Sequence, residues 1–184
     1  MNSFYVWNNL QLIPLDGFPW YFYKRRKLAL TKHYYVPIIR PRNSKFGYDD
    51  VIKIIREVRE NQDRNSVHVI LLSHDDMKGD RNKDTLYNTC SLLVDEIQLY
   101  TNAKILFIGF FPLPLDYQDI INQSIRFQGR LRQRIKNIPN VFFKINNSIP
   151  GSTLRLDQKQ RSNFVLQFYQ EIIIKLTEIT LVQK

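Results

Sequence analysis

Cysteine is all but missing from this sequence. Cys90 stands alone, so no internal disulfide can form, and the chain must hold itself together by burying apolar surface. That usage points to a reduced, intracellular setting. Long hydrophobic runs are missing too: none reaches the roughly 18–20 residues that span a bilayer. The opening ten residues lack the basic segment followed by an apolar run that marks a signal peptide, so no membrane is expected among the partners. There is no repeat, low-complexity tract or Gly/Ser linker, and residues 1–184 read as one domain. Acidic residues are the last shortage, with 17 Asp and Glu against 27 Lys and Arg, a formal net charge of +10. Such a balance favours polyanionic partners, nucleic acid before an anionic membrane surface. A merely soluble basic protein is the plain alternative. At 43% hydrophobic residues the chain is not disordered.

What is present is an alternation of strand and helix patterns. A short apolar run at 11–15 stops at the turn signal Asp16-Gly17 and reads as the first strand. A helix is expected over 20–30, with Pro19 in its first turn, and a second strand over 34–39, where Pro37 favours a sheet edge. Asp49 and Asp50 suit a helix start before Val51, Ile54, Ile55 and Val58. The nearly unbroken apolar run 67–72 predicts a central parallel strand with His68 packed inside it. Leu86, Cys90, Leu93 and Ile97 mark the next helix, 104–110 the next strand, and Ile120, Ile121, Ile125, Leu131 and Ile135 a fourth helix. A fifth strand over 141–145 and a last helix through Phe168, Ile172 and Leu176 complete the pattern. The expected fold is α/β, a three-layer sandwich around a five-stranded parallel sheet of order 2-1-3-4-5. Ligands then belong at the C-terminal ends of the strands.

At those strand ends stand Leu15-Asp16-Gly17, Ser73-His74-Asp75-Asp76 and, before the last helix, Asp157-Gln158-Lys159-Gln160. In order and position these blocks resemble those of the SGNH (GDSL-type) hydrolases, where Gly-Asp-Ser, Gly-x-Asn-Asp and Asp-x-x-His carry the serine-esterase chemistry. The resemblance implies that family's flavodoxin-like fold. It also implies that the triad is degenerate, with Gly17 at the nucleophile position and Gln160 at the base position. Asp75, in the place of an oxyanion-hole asparagine, would repel a developing negative charge. Ser73 and His74 are adjacent in an extended segment and point apart, so they do not rebuild the pair. Asp16, Asp75 and Asp76 allow one other reading, a magnesium-dependent phosphodiesterase or nuclease. The reading favoured over it makes Asp75 and Asp76 turn caps and Asp16 and Asp157 remnants held by backbone N–H groups, and no metal or cofactor is expected.

The cations are clustered. Lys24, Arg25, Arg26 and Lys27 lie among Trp20, Tyr21 and Tyr23; Arg40 and Arg42 follow the second strand; Arg155, Lys159 and Arg161 surround the last block. Arg126, Arg130 and Arg134 are four apart and form one helical ridge, with Arg132 and Lys136 on another side. A solvated helix face explains the ridge as well as binding does. Arginine forks match phosphate geometry, and neighbouring aromatic rings suit unpaired bases. Sequence signatures of the common RNA-binding modules are absent. A basic SGNH-like domain without its triad resembles the C-terminal domain of the Oskar family of insect germ-plasm proteins. That resemblance implies a domain excised from a longer chain. It further implies binding of messenger RNA, including 3′ untranslated regions, in cytoplasmic ribonucleoprotein granules alongside germ-plasm proteins. The expectation is therefore a non-catalytic RNA-binding domain; the alternatives are the metal-dependent phosphodiesterase and a divergent esterase.

Overall fold

The structure is a computed structural model and describes residues 2–8, 33–39, 46–62, 65–72, 74–77, 84–109 and 118–145, with Lys175, Glu178 and Ile179. Strands β1 (Asn2–Asn8) and β2 (His33–Ile39) come first, and of these two the backbone pairing is described. Helix α1 (Tyr48–Glu60), strand β3 (Asn65–Leu71), a 3-10 turn (His74–Met77) and helix α2 (Thr85–Ile97) follow. Strand β4 (Ala103–Ile108), helix α3 (Gln118–Ile135) and strand β5 (Val141–Lys144) complete the described elements. The chain is α/β. Its strands pair in parallel in the order β2-β1-β3-β4-β5.

The first strand is not where its turn signal suggested. It occupies Asn2–Asn8 rather than 11–15 and is hydrogen-bonded to β2 on one side and β3 on the other. The segment NSFYVWN is rich in the aromatic and β-branched residues that suit a pleated surface. The run at 11–15 offered only a good stop at Asp16-Gly17. That run and the helix expected over 20–30 lie outside the described residues, as do Phe168, Ile172 and Leu176 of the last helix.

Packing follows the alternation of side chains along each strand. Ala103, Ile105 and Phe107 of β4 join Ile70 of β3, Leu72 just after it and Val141 of β5 in one buried cluster. Against them lie Val51, Ile54, Ile55 and Val58 of α1, the stripe Leu86, Cys90, Leu93, Val94 and Ile97 of α2, and Phe127, Leu131 and Ile135 of α3. Cys90, the single cysteine of the sequence, is fully buried on that stripe. Every β4 residue is buried, so both of its faces are covered. On the face away from that cluster, Lys104 Nζ donates to the Ile179 carbonyl (3.2 Å) and lies 5.6 Å from the centre of the Phe142 ring. Burial holds its ammonium below the usual lysine range.

One expected core position of α3 is outside. Ile125 is 62% exposed, because the buried line runs through Ser124, Phe127, Leu131 and Ile135, and residue 125 falls on the next face round. At its start α1 uses the expected acid: Asp50 Oδ2 accepts the Gly47 N–H at 2.9 Å. The N-terminal end of the sheet is tied by asparagines. Asn102 Nδ2 donates to the Gln62 carbonyl (2.6 Å), and its own carbonyl accepts from Ser66 N (3.0 Å). Asn140 Nδ2 reaches the carbonyls of Ile97 (2.9 Å), Tyr100 (3.3 Å) and Ala103 (3.3 Å). Among the described residues no helix is long and apolar enough to cross a membrane.

Candidate functional site

The C-terminal side of the sheet is built differently from that tied end. β3 runs into the 3-10 turn, which carries Asp75, Asp76 and Met77. Asp76 is buried, and its Oδ1 accepts the Phe46 N–H at 2.7 Å, fastening the approach to α1 against the turn that follows β3. This is the structural use of a carboxylate that the sequence also offered as a cap. Among the described residues no three His, Cys, Asp or Glu side chains converge as a metal site.

Beyond the turn, Asp84 precedes α2 with a left-handed backbone (φ 48°), a conformation that non-glycine residues adopt mainly as Asp or Asn. Its Oδ1 pairs with Arg130 Nη1 of α3 at 2.9 Å. The Arg130 guanidinium also lies over the Tyr87 ring of α2, 3.9 Å from its centre. One turn further along, Arg134 bonds Asp95 of α2. The ridge of arginines therefore leans toward α2, and two of its three members have carboxylate partners. Arg126, at the other end, is exposed and has no ion pair among the described residues. The same holds of Arg132 and Lys136 on the adjoining face.

These side chains enclose a cleft of about 460 Å³ between the 3-10 turn, α2 and α3. Met77 and Phe127, both nearly fully buried, form its apolar floor; Tyr87 and Gln123 form walls; Asp84, Arg126 and Arg130 stand at the rim. A second hollow of about 340 Å³, between α1 and α2, carries Tyr48, Ile52, Arg56 and Arg59. There Arg59 Nε is already bonded to the Tyr100 hydroxyl at 2.8 Å.

Compared with known proteins, the sequence matches no family model and no curated relative.

The SGNH-like reading sets Asp16-Gly17 after the first strand, and β1 ends at Asn8. Asp16, Gly17, Asp157 and Gln160 themselves lie outside the described residues. So do the candidate cations Lys24, Arg25, Arg26, Arg40, Arg42, Arg155, Lys159 and Arg161. Of the expected RNA-contacting residues, Arg126 and Arg130 are described, and they share one rim. Sequence reasoning missed Asp84 and Tyr87. The signal available was slight: an acidic residue at a helix start and a tyrosine one turn in.

Proposed function

We propose that this chain is a non-catalytic RNA-binding domain. It takes single-stranded regions of messenger RNA, 3′ untranslated regions among them, and works in cytoplasmic ribonucleoprotein granules with germ-plasm proteins as neighbours. The observation that carries this reading is the cationic face of α3. Arg126 on the ridge, Arg132 on the adjoining face and Lys136 just past the helix end are exposed and, among the described residues, uncompensated by carboxylates, in a chain of net charge +10. Such a face attracts a phosphate backbone and releases its counterions. The reading includes a three-layer, SGNH-like fold with its triad lost. Supporting that part are the strand order of the parallel sheet and a β4 covered on both faces, with Ile179 against Lys104.

The experiment is a salt series of single-stranded RNA binding by anisotropy, with ultraviolet crosslinks mapped to peptides. Log affinity should fall by roughly 0.7 per log unit of salt for each phosphate neutralised. Arg40→Glu, Arg42→Glu, Arg155→Glu and Arg132→Glu should weaken binding and flatten the slope, while Arg64→Glu and Lys83→Glu do little. Equal losses at all six positions would reduce the reading to general basicity, and no binding at low salt would end it. p-Nitrophenyl acetate should be hydrolysed no faster than by denatured protein, and magnesium should not elicit RNA cleavage.

A further inference from the structure

We propose that the cleft between α2 and α3 is a nucleotide subsite that holds one base and its phosphate from a bound RNA strand. The inference rests on the RNA-binding reading but names a site which that reading does not require. The cleft combines three kinds of surface that a nucleotide needs. Its floor, Met77 and Phe127, is apolar and buried, able to receive the face of a planar base. Its rim places Arg126, exposed and without an ion pair among the described residues, where a phosphate attached to that base would lie. Between them Gln123 offers an amide donor and acceptor for a base edge. A volume of about 460 Å³ admits one nucleotide unit and excludes a duplex.

Arg130 has a different part from Arg126. One face of its guanidinium is stacked on Tyr87, and one edge is bonded to Asp84, so it is held flat and already partly neutralised. A guanidinium fixed in that way is a platform on which a base stacks rather than a clamp for phosphate. Asp84 keeps it so. The left-handed backbone at Asp84 is the strained conformation often found beside binding sites, and here it aims the carboxylate at Arg130. In this arrangement Arg126 supplies the charge contact and Arg130 the stacking contact.

The test uses the full chain with adenosine 5′-monophosphate, adenosine, inorganic phosphate and a twelve-residue single-stranded oligoadenylate. Nuclear magnetic resonance follows the Tyr87 and arginine side-chain signals; anisotropy follows the oligonucleotide. Adenosine monophosphate should shift the Tyr87 and Arg130 signals. Arg126→Gln should weaken the monophosphate about fivefold or more but leave adenosine unchanged, and should lower the oligonucleotide salt slope by about 0.7. Arg130→Gln should weaken both adenosine and its monophosphate, whereas Arg56→Gln, an equal change of charge on α1, should alter neither. Asp84→Asn frees Arg130 for phosphate and should steepen the salt slope. If inorganic phosphate alone reproduces the shifts, base recognition is overturned. If the oligonucleotide binds undiminished to Arg126→Gln/Arg130→Gln and the monophosphate shifts nothing, the subsite falls while the RNA-binding reading stands. If the monophosphate binds as described and the oligonucleotide does not bind, the RNA-binding reading falls and the cleft remains a nucleotide site.

Discussion

His68 is a histidine inside a sheet. It is fully buried on β3, in register with Ile105, and exclusion from water pushes its imidazole down to about 3. The folded protein therefore keeps it neutral, while in the unfolded chain it titrates near its ordinary 6.5. Between those values the unfolded chain binds a proton that the folded protein refuses. The contribution to stability is complete above pH 6.5 and declines as pH falls toward 3, by at most about 1.4 kcal/mol per pH unit. Urea midpoints measured from pH 7 to 5 should fall less steeply in His68→Leu than in the natural sequence; parallel curves would refute the assignment. Asp76 gives a second prediction at this scale. Its Oδ1 answers a buried Phe46 N–H, so Asp76→Ala should cost about 1–3 kcal/mol, while Asp76→Asn keeps an acceptor and should cost less. Chemical denaturation of the two variants decides it, and equal losses would show that the acceptor is not what matters.

At the scale of elements, the two ends of the sheet divide the work. Asn140 holds the tied end: one amide group reaches the last carbonyl of α2, the loop after it and the first residue of β4. Asn140→Ala should lower stability by about 1–3 kcal/mol. Asn140→Asp should lower it more, because a carboxylate would face three carbonyl oxygens; a urea midpoint within about 0.5 kcal/mol of the natural protein would refute the role. This explains which elements were readable beforehand. β4 and the middle of β3 are apolar runs because they are buried, β5 is buried at Val141 and half-buried beyond it, and the stripes of α1 and α2 repeat at helical spacing because one face meets the sheet. Ile125 misled because an isoleucine on the exposed face looks in sequence like a member of the stripe. β1 was hidden for a related reason: its Asn, Ser and Tyr dilute the apolar signal, whereas Asp16-Gly17 supplies a conspicuous stop to the run at 11–15, which lies outside the described residues. The asparagine ties carry no pattern at all, since their value lies in carbonyls brought near by folding.

On the whole-molecule scale, the candidate site was legible only in part. The fourfold spacing of Arg126, Arg130 and Arg134 announces a cationic ridge, but Asp84, Tyr87 and Asp95 become its neighbours only when α2 and α3 lie side by side. Charge can be counted from sequence; its compensation cannot. The position of β1 has the widest consequence, because this strand is bonded on both sides and joins the β2 edge to the rest of the sheet. Removing residues 2–8 should therefore abolish cooperative unfolding, although most of the buried cluster around α1, α2 and α3 lies elsewhere in the chain. Were the first strand at 11–15, the same deletion would trim an end and leave the urea transition intact. A single substitution asks the question more finely. Val6 of β1 pairs with Pro37 of β2 and with Val69 of β3, so a natural proline and a test position share one register across neighbouring strands. Proline is tolerated on an edge strand, where the sheet needs one side of the ladder, and not in an interior strand. Val6→Pro should thus unfold the protein or cost several kcal/mol, on the order of the 3 kcal/mol seen when proline breaks a regular element. Pro37→Val should be nearly silent. A folded Val6→Pro variant with an unchanged urea midpoint would mean that β1 does not run through the interior of the sheet.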